Sequence, residues 1–280
     1  MIVQLQMFVP VVTYPEANAD GIASNAVSVA TWLDAKLHAM AINADIPDVS
    51  NMLSKLLLDV AGLIENAKAE SRQRGEHLLA LLRQKAEEAH VEIATSTITA
   101  PIAALGDAAA LRARYFDLSF VGWEPGNTTS RMAAEAIVFG SGRPTILLPD
   151  ASHMAALDHI ALAWDGSRVA ARAVADAEPF LERASHVSVI TVVDEKPLED
   201  GDAAERLAEA LRARGTNAEA VPVASEDCPV AETLQRTAIG KGCQLLVMGG
   251  YGHSRIRDFV LGGATEGVLS SLLMPVLLSH

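Results

Sequence analysis

Short apolar runs alternate with longer amphipathic segments along the second half of the chain. Five runs are typical of strands and lie at 159–164, 187–193, 218–223, 244–248 and 275–279. The run at 244–248 (QLLVM) is apolar at every position after Gln244, which indicates burial on both faces. Apolar residues at helical spacing predict helices at about 168–184, 203–214, 229–239 and 263–273. This alternation of strand and helix favours a parallel sheet with helices on both faces.

The first half repeats this order with weaker turn signals. Strands are predicted at 3–12, 37–42, 91–97, 117–122 and 145–148. Three of its segments resemble later ones: KLHAMAI and ASHVSVI, FDLSFVG and CQLLVMG, RPTILLP and MPVLLS. His38 and His186 lie 148 positions apart in this alignment, whereas Gly122 and Gly249 lie 127 positions apart. The first half therefore carries 21 additional residues, which fit a long helical stretch at 50–90.

This repetition predicts an internal duplication with two domains, 1–150 and 151–280. The length supports it, because 280 residues exceed the usual 100–150 residues of one domain. Each domain is expected to be an α/β unit built on a parallel sheet.

Charge and composition exclude several classes of function. The net charge of −13 would repel a polyanionic nucleic acid, and no apolar run approaches the 18–20 residues of a transmembrane helix. The start, MIVQLQMFVPVV, has no basic segment before its apolar residues and is interpreted as a strand, not a secretory signal. Two cysteines, Cys228 and Cys243, are too few for a disulfide framework or a cysteine-based zinc site. The histidines show no His-x3-His spacing, so no metal site is predicted. We expect a cytoplasmic protein with neither a nucleic-acid nor a membrane partner.

A glycine-rich loop between a buried strand and a helix is the segment most indicative of chemistry. It contains Gly249, Gly252, Gly262 and Gly263, and it follows the carboxyl end of the strand at 244–248. Doubly wound sheets bind ligands at that end, and glycine lets the backbone come close to a ligand. Free N–H groups at the start of the next helix attract anions, and Thr265 can add a hydroxyl donor in its first turn. The loop therefore predicts a phosphate site.

Three residues at other strand ends extend this predicted site. Asp165 follows the strand at 159–164 and is placed to accept from a ribose hydroxyl or to approach a metal. Val192 and Met248 lie near the ends of two strands and offer an apolar slot for a base.

These motifs resemble the universal stress protein family. Its signature is Gly, two residues, Gly, nine residues, Gly and then Ser or Thr, which Gly249, Gly252 and Gly262 match. The resemblance is specific over 158–280 and extends weakly to the first half, as in tandem universal stress proteins. It implies a five-stranded parallel Rossmann-like sheet (adenine nucleotide α-hydrolase-like) in each domain, and ATP bound with Mg²⁺ or Mn²⁺. The residues that would line the nucleotide are Asp165, Val192, Met248, Gly249, Gly252, Gly262, Gly263, Ala264 and Thr265.

The chain departs from the family pattern in two places. Gly263 stands where the family has Ser or Thr, and loss of that hydrogen bond should weaken binding by about two- to tenfold. In the first half, Tyr14-Pro15 replaces the aspartate, and Glu124-Pro125 puts a charge and a missing N–H where phosphates need donors. The first half is therefore interpreted as a degenerate, structural copy.

Three functional hypotheses stay open at this point. The first is a stress-response or regulatory protein that binds ATP as a ligand in its second domain. The second is a slow ATPase acting at the same site, so the sequence leaves enzymatic activity undecided. The third is a nucleotide-free module for dimerisation, because the last strand commonly pairs across a dimer in this family. A tandem chain can satisfy that pairing internally, with 145–148 beside 276–279, and would then mimic a homodimer as one polypeptide.

Overall fold

The computed structural model describes residues 4–47, 60–124, 126–149, 154, 156–195, 201–250 and 263–280. The contacts divide the chain into two compact units, Met1–Ser141 and Gly142–His280. The described helices include none that is long and apolar enough to cross a membrane.

The first unit is built from parallel strands and the helices that connect them. Its strands are β1 (Gln6–Val12), β2 (Lys36–Asp45), β3 (Ile93–Pro101) and β4 (Leu118–Trp123), and they are ordered β3-β2-β1-β4 with each neighbouring pair parallel. Its helices are α1 (Gly21–Leu33), α2 (Val60–Glu88), α3 (Leu105–Ala113) and α4 (Thr128–Gly140), with a 3-10 turn at Ile102–Ala104.

The second unit has the same plan with two additional strands among the described residues. Its strands are β5 (Thr145–Pro149), β6 (His159–Ala163), β7 (His186–Val192), β8 (Ala218–Val223), β9 (Leu245–Gly249) and β10 (Val276–Ser279), ordered β5-β10-β9-β6-β7-β8. Its helices are α5 (Arg168–Asp176), α6 (Glu178–Leu181), α7 (Ala203–Ala213), α8 (Val230–Gly240) and α9 (Gly263–Ser270). The pairs from β10 to β8 are parallel, as the predicted α/β class requires.

Strand β5 pairs antiparallel with β10, and Val276 lies opposite Leu147. The predicted pairing of 145–148 with 276–279 is therefore confirmed. Because of this pairing, β5 lies in the second compact unit, although the sequence assigns it to the first domain. The predicted boundary at 150/151 stays a prediction, since residues 150–153 are outside the described ranges.

The helix predicted at 168–184 is divided in two. Helix α5 ends at Asp176, Ala177 caps it, and α6 starts at Glu178 with Pro179 in its first turn. Proline has no N–H to donate and is tolerated in a first turn but not in a helix interior, so a new helix starts there. The remaining described elements lie close to their predicted positions.

The two units repeat at the level of strand register. Phe8 lies opposite His38 in the first unit, and His159 lies opposite His186 in the second. Phe8 and His159 are therefore equivalent positions in the two units. Five residues later, Thr13 is equivalent to Trp164, and after one more residue Tyr14 is equivalent to Asp165. This correspondence allows the two sets of strand ends to be compared residue by residue.

Candidate functional site

A crevice opens at the carboxyl ends of β6, β7 and β9 in the second unit. Its volume is about 170 Å³. Its walls come from these strand ends and from α5, α8 and α9, and the lining residues are Ala163, Trp164, Asp165, Ser167, Val169, Ala170, Ile190, Val192, Glu195, Val230, Leu234, Met248, Gly249, Gly263, Ala264 and Thr265. The crevice is therefore where parallel α/β sheets bind their ligands.

A tight turn after β6 places Asp165 at the crevice. Gly166 has φ +74°, a conformation that side-chain-bearing residues rarely adopt. The turn lets Asp165 Oδ1 accept a hydrogen bond from the Ser167 N–H at 3.0 Å. Ser167 Oγ in turn accepts from the Ala170 N–H at 3.2 Å and caps α5. The carboxylate position is thus fixed by the same residues that start the helix.

The last residue of β9, Gly249, allows the sheet and α5 to approach closely. A Cβ atom at Gly249 would lie 2.5 Å from the carbonyl carbon of Val169 and 2.8 Å from the backbone nitrogen of Ala170. Only glycine avoids this overlap, because the atoms it would meet belong to the helix backbone. The first glycine of the sequence motif therefore has a packing role at the base of the crevice.

Helix α9 turns its first residues toward the crevice. Gly263, Ala264 and Thr265 all line it, and Thr265 is buried. The helix sits close against α8, because a Cβ at Gly267 would lie only 2.5 Å from the Cβ of Ala231. The early N–H groups of a helix lack partners within the helix and carry partial positive charge. This end of the crevice is suited to an anion.

Much of the lining of the crevice is apolar. Met248 and Val192, the slot predicted from the sequence, line it together with Ile190 from β7 and with Val230 and Leu234 from α8. Trp164 also lines it, and its buried indole N–H has no hydrogen-bond partner among the residues that the structure describes.

Seven of the nine predicted nucleotide-lining residues come together at this crevice. They are Asp165, Val192, Met248, Gly249, Gly263, Ala264 and Thr265. Gly252 and Gly262 lie outside the described residues. That these nine bind a nucleotide stays a prediction.

Sequence reasoning missed several members of the crevice. Ile190 lies two residues before Val192 on the same face of β7, a period-2 signal that could have identified it. Val230 and Leu234 are one helical turn apart on α8, but that spacing alone is common to any packed helix. Glu195 carries no signal in the sequence, because its place depends on the path of the chain after β7.

The corresponding strand ends in the first unit are covered by helix α2. Thr13 Oγ1 lies 2.7 Å from Ser71 Oγ and donates to the Ile42 carbonyl at 3.0 Å. Ser71 Oγ also accepts from the Ala44 N–H at 3.0 Å. Ser71 is completely buried, so these contacts fill the space above the ends of β1 and β2.

Helix α2 packs closely against the ends of β1 and β2 at Gly75. An added Cβ there would lie 2.8 Å from Asn43 Oδ1 and 3.3 Å from Thr13 Cγ2. The buried face of α2 comprises Ile64, Ser71, Gly75, Leu78, Leu79, Leu82 and Ala86. The additional residues of the first half therefore cover the region that is open in the second unit.

Side chains also occupy the helix amides of the first unit. Glu124 Oε1 accepts from the Ala19 N–H at 2.6 Å, next to the start of α1, and Asn127 Nδ2 donates to Glu124 Oε2 at 3.0 Å. Asn127 Oδ1 caps α4 by accepting from the N–H groups of Thr129 and Ser130, both at 3.0 Å. A carboxylate and an amide oxygen thus take donors that a phosphate would need. Pro125, which has no N–H to offer a phosphate, lies outside the described ranges.

The acidic side chains near the crevice of the second unit set its charge. Asp165 and Glu195 both line it. The neighbouring Asp194 accepts from the Ser225 N–H at 2.8 Å, and this backbone amide lowers the pKa of the Asp194 carboxyl. A polyphosphate would need a cation to enter beside these carboxylates.

Comparison with known proteins gives a family match for part of the chain and a structural match for nearly all of it. The model of the universal stress protein family matches residues 156–280. The structure is similar to that of a universal stress protein from Archaeoglobus fulgidus, with 15% identity, a TM-score of 0.70, and coverage of 98% of this chain and 97% of that chain. A protein of unknown function from Pseudomonas aeruginosa has 16% identity, a TM-score of 0.54, and coverage of 97% of this chain and 92% of its own. A candidate universal stress protein from the same species has 16% identity, a TM-score of 0.54, and coverage of 99% and 93%. None of the curated proteins matches the sequence.

Residues 156–280 therefore belong to the universal stress protein family. The structural likeness extends over nearly the whole chain, so the fold expected of a tandem universal stress protein is confirmed. At these identities the likeness shows fold alone, because one fold can carry many different ligands and activities.

Proposed function

We propose that the second unit binds ATP together with Mg²⁺ as a regulatory ligand. The observation that carries this proposal is the crevice at the ends of β6, β7 and β9, which combines an apolar wall, a helix N-terminus and an acidic side chain. Such a ligand acts by favouring the conformation or the assembly that binds it, which suits a stress-response protein. A cytoplasmic location, where ATP and Mg²⁺ are both present, belongs to the same proposal.

The apolar wall supports a place for the base. A cavity of about 150 Å³ lined by apolar side chains is large enough for benzene, and this crevice measures about 170 Å³. Ile190, Val192 and Leu234 would contact the faces of a planar ring. The indole N–H of Trp164, which has no hydrogen-bond partner among the described residues, is a further donor at this wall.

The start of α9 supports a place for the phosphates. The N–H groups at the start of α9 would donate to phosphate oxygens, and Thr265 adds a hydroxyl. Asp165 would hold the Mg²⁺, since carboxylate oxygens are preferred magnesium ligands. The cation would offset the repulsion between the phosphates and the carboxylates of Asp165 and Glu195.

The first unit is proposed to bind no nucleotide. Ser71 of α2 packs over the ends of its strands β1 and β2, Glu124 binds the Ala19 amide just before α1, and Asn127 binds amides at the start of α4. Tyr14 stands where the second unit has Asp165. One chain should therefore bind a single MgATP.

Calorimetric titration of the full chain with MgATP tests the proposal directly. The expected stoichiometry is one, and Asp165→Ala should weaken binding by about 10- to 150-fold, the loss expected for a charged acceptor. Asp165→Asn removes the charge but retains an acceptor for the Ser167 N–H. Comparing it with Asp165→Ala separates the effect of the lost charge from the effect of the lost hydrogen bond in the turn. Tyr14→Ala, at the matching position of the first unit, should leave the affinity unchanged. Two equivalent sites, no binding at millimolar MgATP, or full affinity in Asp165→Ala would contradict it.

A further inference from the structure

A second cluster of side chains lies at the amino ends of the strands of the second unit, far along the strands from the crevice. His159 is the first residue of β6, His186 is the first residue of β7, and Glu219 is the second residue of β8. One ligand atom of each, a ring nitrogen or a carboxylate oxygen, lies within 4.8 Å of the others.

The strand register accounts for this convergence. His159 lies directly opposite His186, and Ser188 lies directly opposite Glu219. His186 and Ser188 are two residues apart on β7 and so point to the same face of the sheet. The two imidazole rings meet edge to face with centroids 4.4 Å apart. Rigid parallel strands therefore hold the three side chains together although they are far apart in sequence.

The distances are close to those of a metal site. Zinc binds nitrogen and oxygen ligands at about 2.0–2.2 Å, which places tetrahedral ligand atoms about 3.4 Å apart. His186 Nε2 and Glu219 Oε1 are already 3.4 Å apart. His159 Nε2 lies 2.9 Å from Ser188 Oγ, which donates to Glu219 Oε1 at 3.0 Å, so the hydroxyl bridges the third ligand to the carboxylate. Small side-chain rotations would bring all three ligand atoms to the distances that a bound zinc ion requires.

The cluster already attracts a cation. Lys241 Nζ donates to Glu219 Oε1 at 2.9 Å, and both side chains are 40% exposed. A metal ion would take the place of this ammonium group, which can move into solvent. The exposed side of the cluster leaves room for water as a further ligand.

We propose that His159, His186 and Glu219 form a binding site for a divalent transition metal of the zinc type. Two imidazoles and one carboxylate suit Zn²⁺, whereas Mg²⁺ prefers oxygen ligands alone. The site is independent of the nucleotide proposed above.

Titration of the full chain, prepared without a histidine tag and without nucleotide, with Zn²⁺ tests this site. One Zn²⁺ per chain is expected at these residues, and Co²⁺ in its place should give a visible absorption band. His186→Ala and His159→Ala should each weaken binding by at least tenfold, because loss of even an outer partner of a metal ligand costs 10- to 100-fold. Lys241→Met should tighten binding by about two- to fivefold, the scale of an exposed ion pair.

His38→Ala is the matched control. His38 has the position in β2 that His186 has in β7, but it lies opposite Phe8 and hydrogen-bonds to Gln6 Oε1 at 2.7 Å. This variant should bind Zn²⁺ as the unchanged protein does. Circular dichroism checks that each variant is folded, and MgATP affinity should be equal in all of them. Zn²⁺ binding that survives both His159→Ala and His186→Ala, or no binding by the unchanged protein, would overturn the proposal.

Discussion

Replacing Gly249 by alanine should destabilise the second unit and distort its crevice at the same time. The added Cβ would lie 2.5 Å from the carbonyl carbon of Val169, 2.7 Å from its oxygen and 2.8 Å from the nitrogen of Ala170. Ordinary contacts of a Cβ begin near 3.4 Å, so the first turn of α5 would have to move by about 0.9 Å. Helix backbone cannot rotate out of the way as a side chain can.

The expected cost follows from this overlap. Overpacking a well-packed interior typically costs about 1–3 kcal/mol, and three backbone atoms at once place Gly249→Ala near the upper end. For a unit of this size, about 3 kcal/mol corresponds to a fall in melting temperature on the order of 10 °C. Because Ser167 and Asp165 start the same helix, MgATP affinity should fall as well.

Gly122→Ala is the control for the Gly249→Ala experiment. Gly122 is the counterpart of Gly249, but its Cβ would meet the tip of Ile22 at 3.2 Å and Asn18 Nδ2 at 3.5 Å. These side-chain atoms can give way, so the cost should stay below about 1 kcal/mol. Calorimetry gives the melting temperatures, and hydrogen exchange by mass spectrometry assigns each change to a unit. Equal destabilisation by the two substitutions would refute the assignment of the close contact to the α5 backbone.

One further substitution and one chemical modification test the start of α9 and the burial of Cys243. Gly263→Ser should tighten MgATP binding by about two- to tenfold in calorimetric titration, because it adds a hydroxyl in the first turn of α9. The structure accommodates it, since no atom of the described residues lies within 4 Å of a Cβ there and the backbone is outside the left-handed region. Iodoacetamide at pH 8 should label the exposed Cys228 at least 100-fold faster than Cys243, because burial raises the pKa of the Cys243 thiol to about 11 and leaves only about one molecule in a thousand as thiolate.

Each of these two predictions has its own control. Gly263→Ala adds the Cβ without the hydroxyl, so a serine variant that binds MgATP no more tightly than the alanine variant would show that the hydroxyl does not contribute. Peptide mass spectrometry follows the two cysteines separately, and both should react at similar rates in denaturant. Equal labelling of Cys228 and Cys243 in the native protein would contradict the buried position of Cys243.

The strands could be predicted well because their signal is local. Parallel strands buried on both faces appear as apolar runs, and β9 is buried over Leu245–Met248 as the run at 244–248 indicated. The break between α5 and α6 was missed, although Pro179 is visible in the sequence, because the apolar spacing continues across it. Hydrophobic periodicity reports which face is buried and not where the hydrogen bonding of a helix stops.

The candidate site could be predicted only as far as its residues follow strand ends. Asp165 and Gly249 come directly after or at the end of a strand, and the topology alone brings them to one edge. Val230 and Leu234 reach the crevice from α8, whose docking depends on packing that no local pattern records. The cluster of His159, His186 and Glu219 was missed for a similar reason. A rule on histidine spacing along one element does not detect ligands that come from three adjacent strands.

The two units show how one fold can cover its strand ends with its own side chains in one copy and leave a crevice there in the other. Phosphate donors at a helix start need a partner, and in the first unit Asn127 supplies it from the chain itself. Ser71 and Gly75 bring α2 onto the ends of β1 and β2, so apolar burial replaces whatever a ligand would contribute there. In the second unit Gly249, Gly263 and Thr265 leave the equivalent space open beside Asp165. A crevice left open costs packing, and the ligand proposed above would restore those contacts in the second unit.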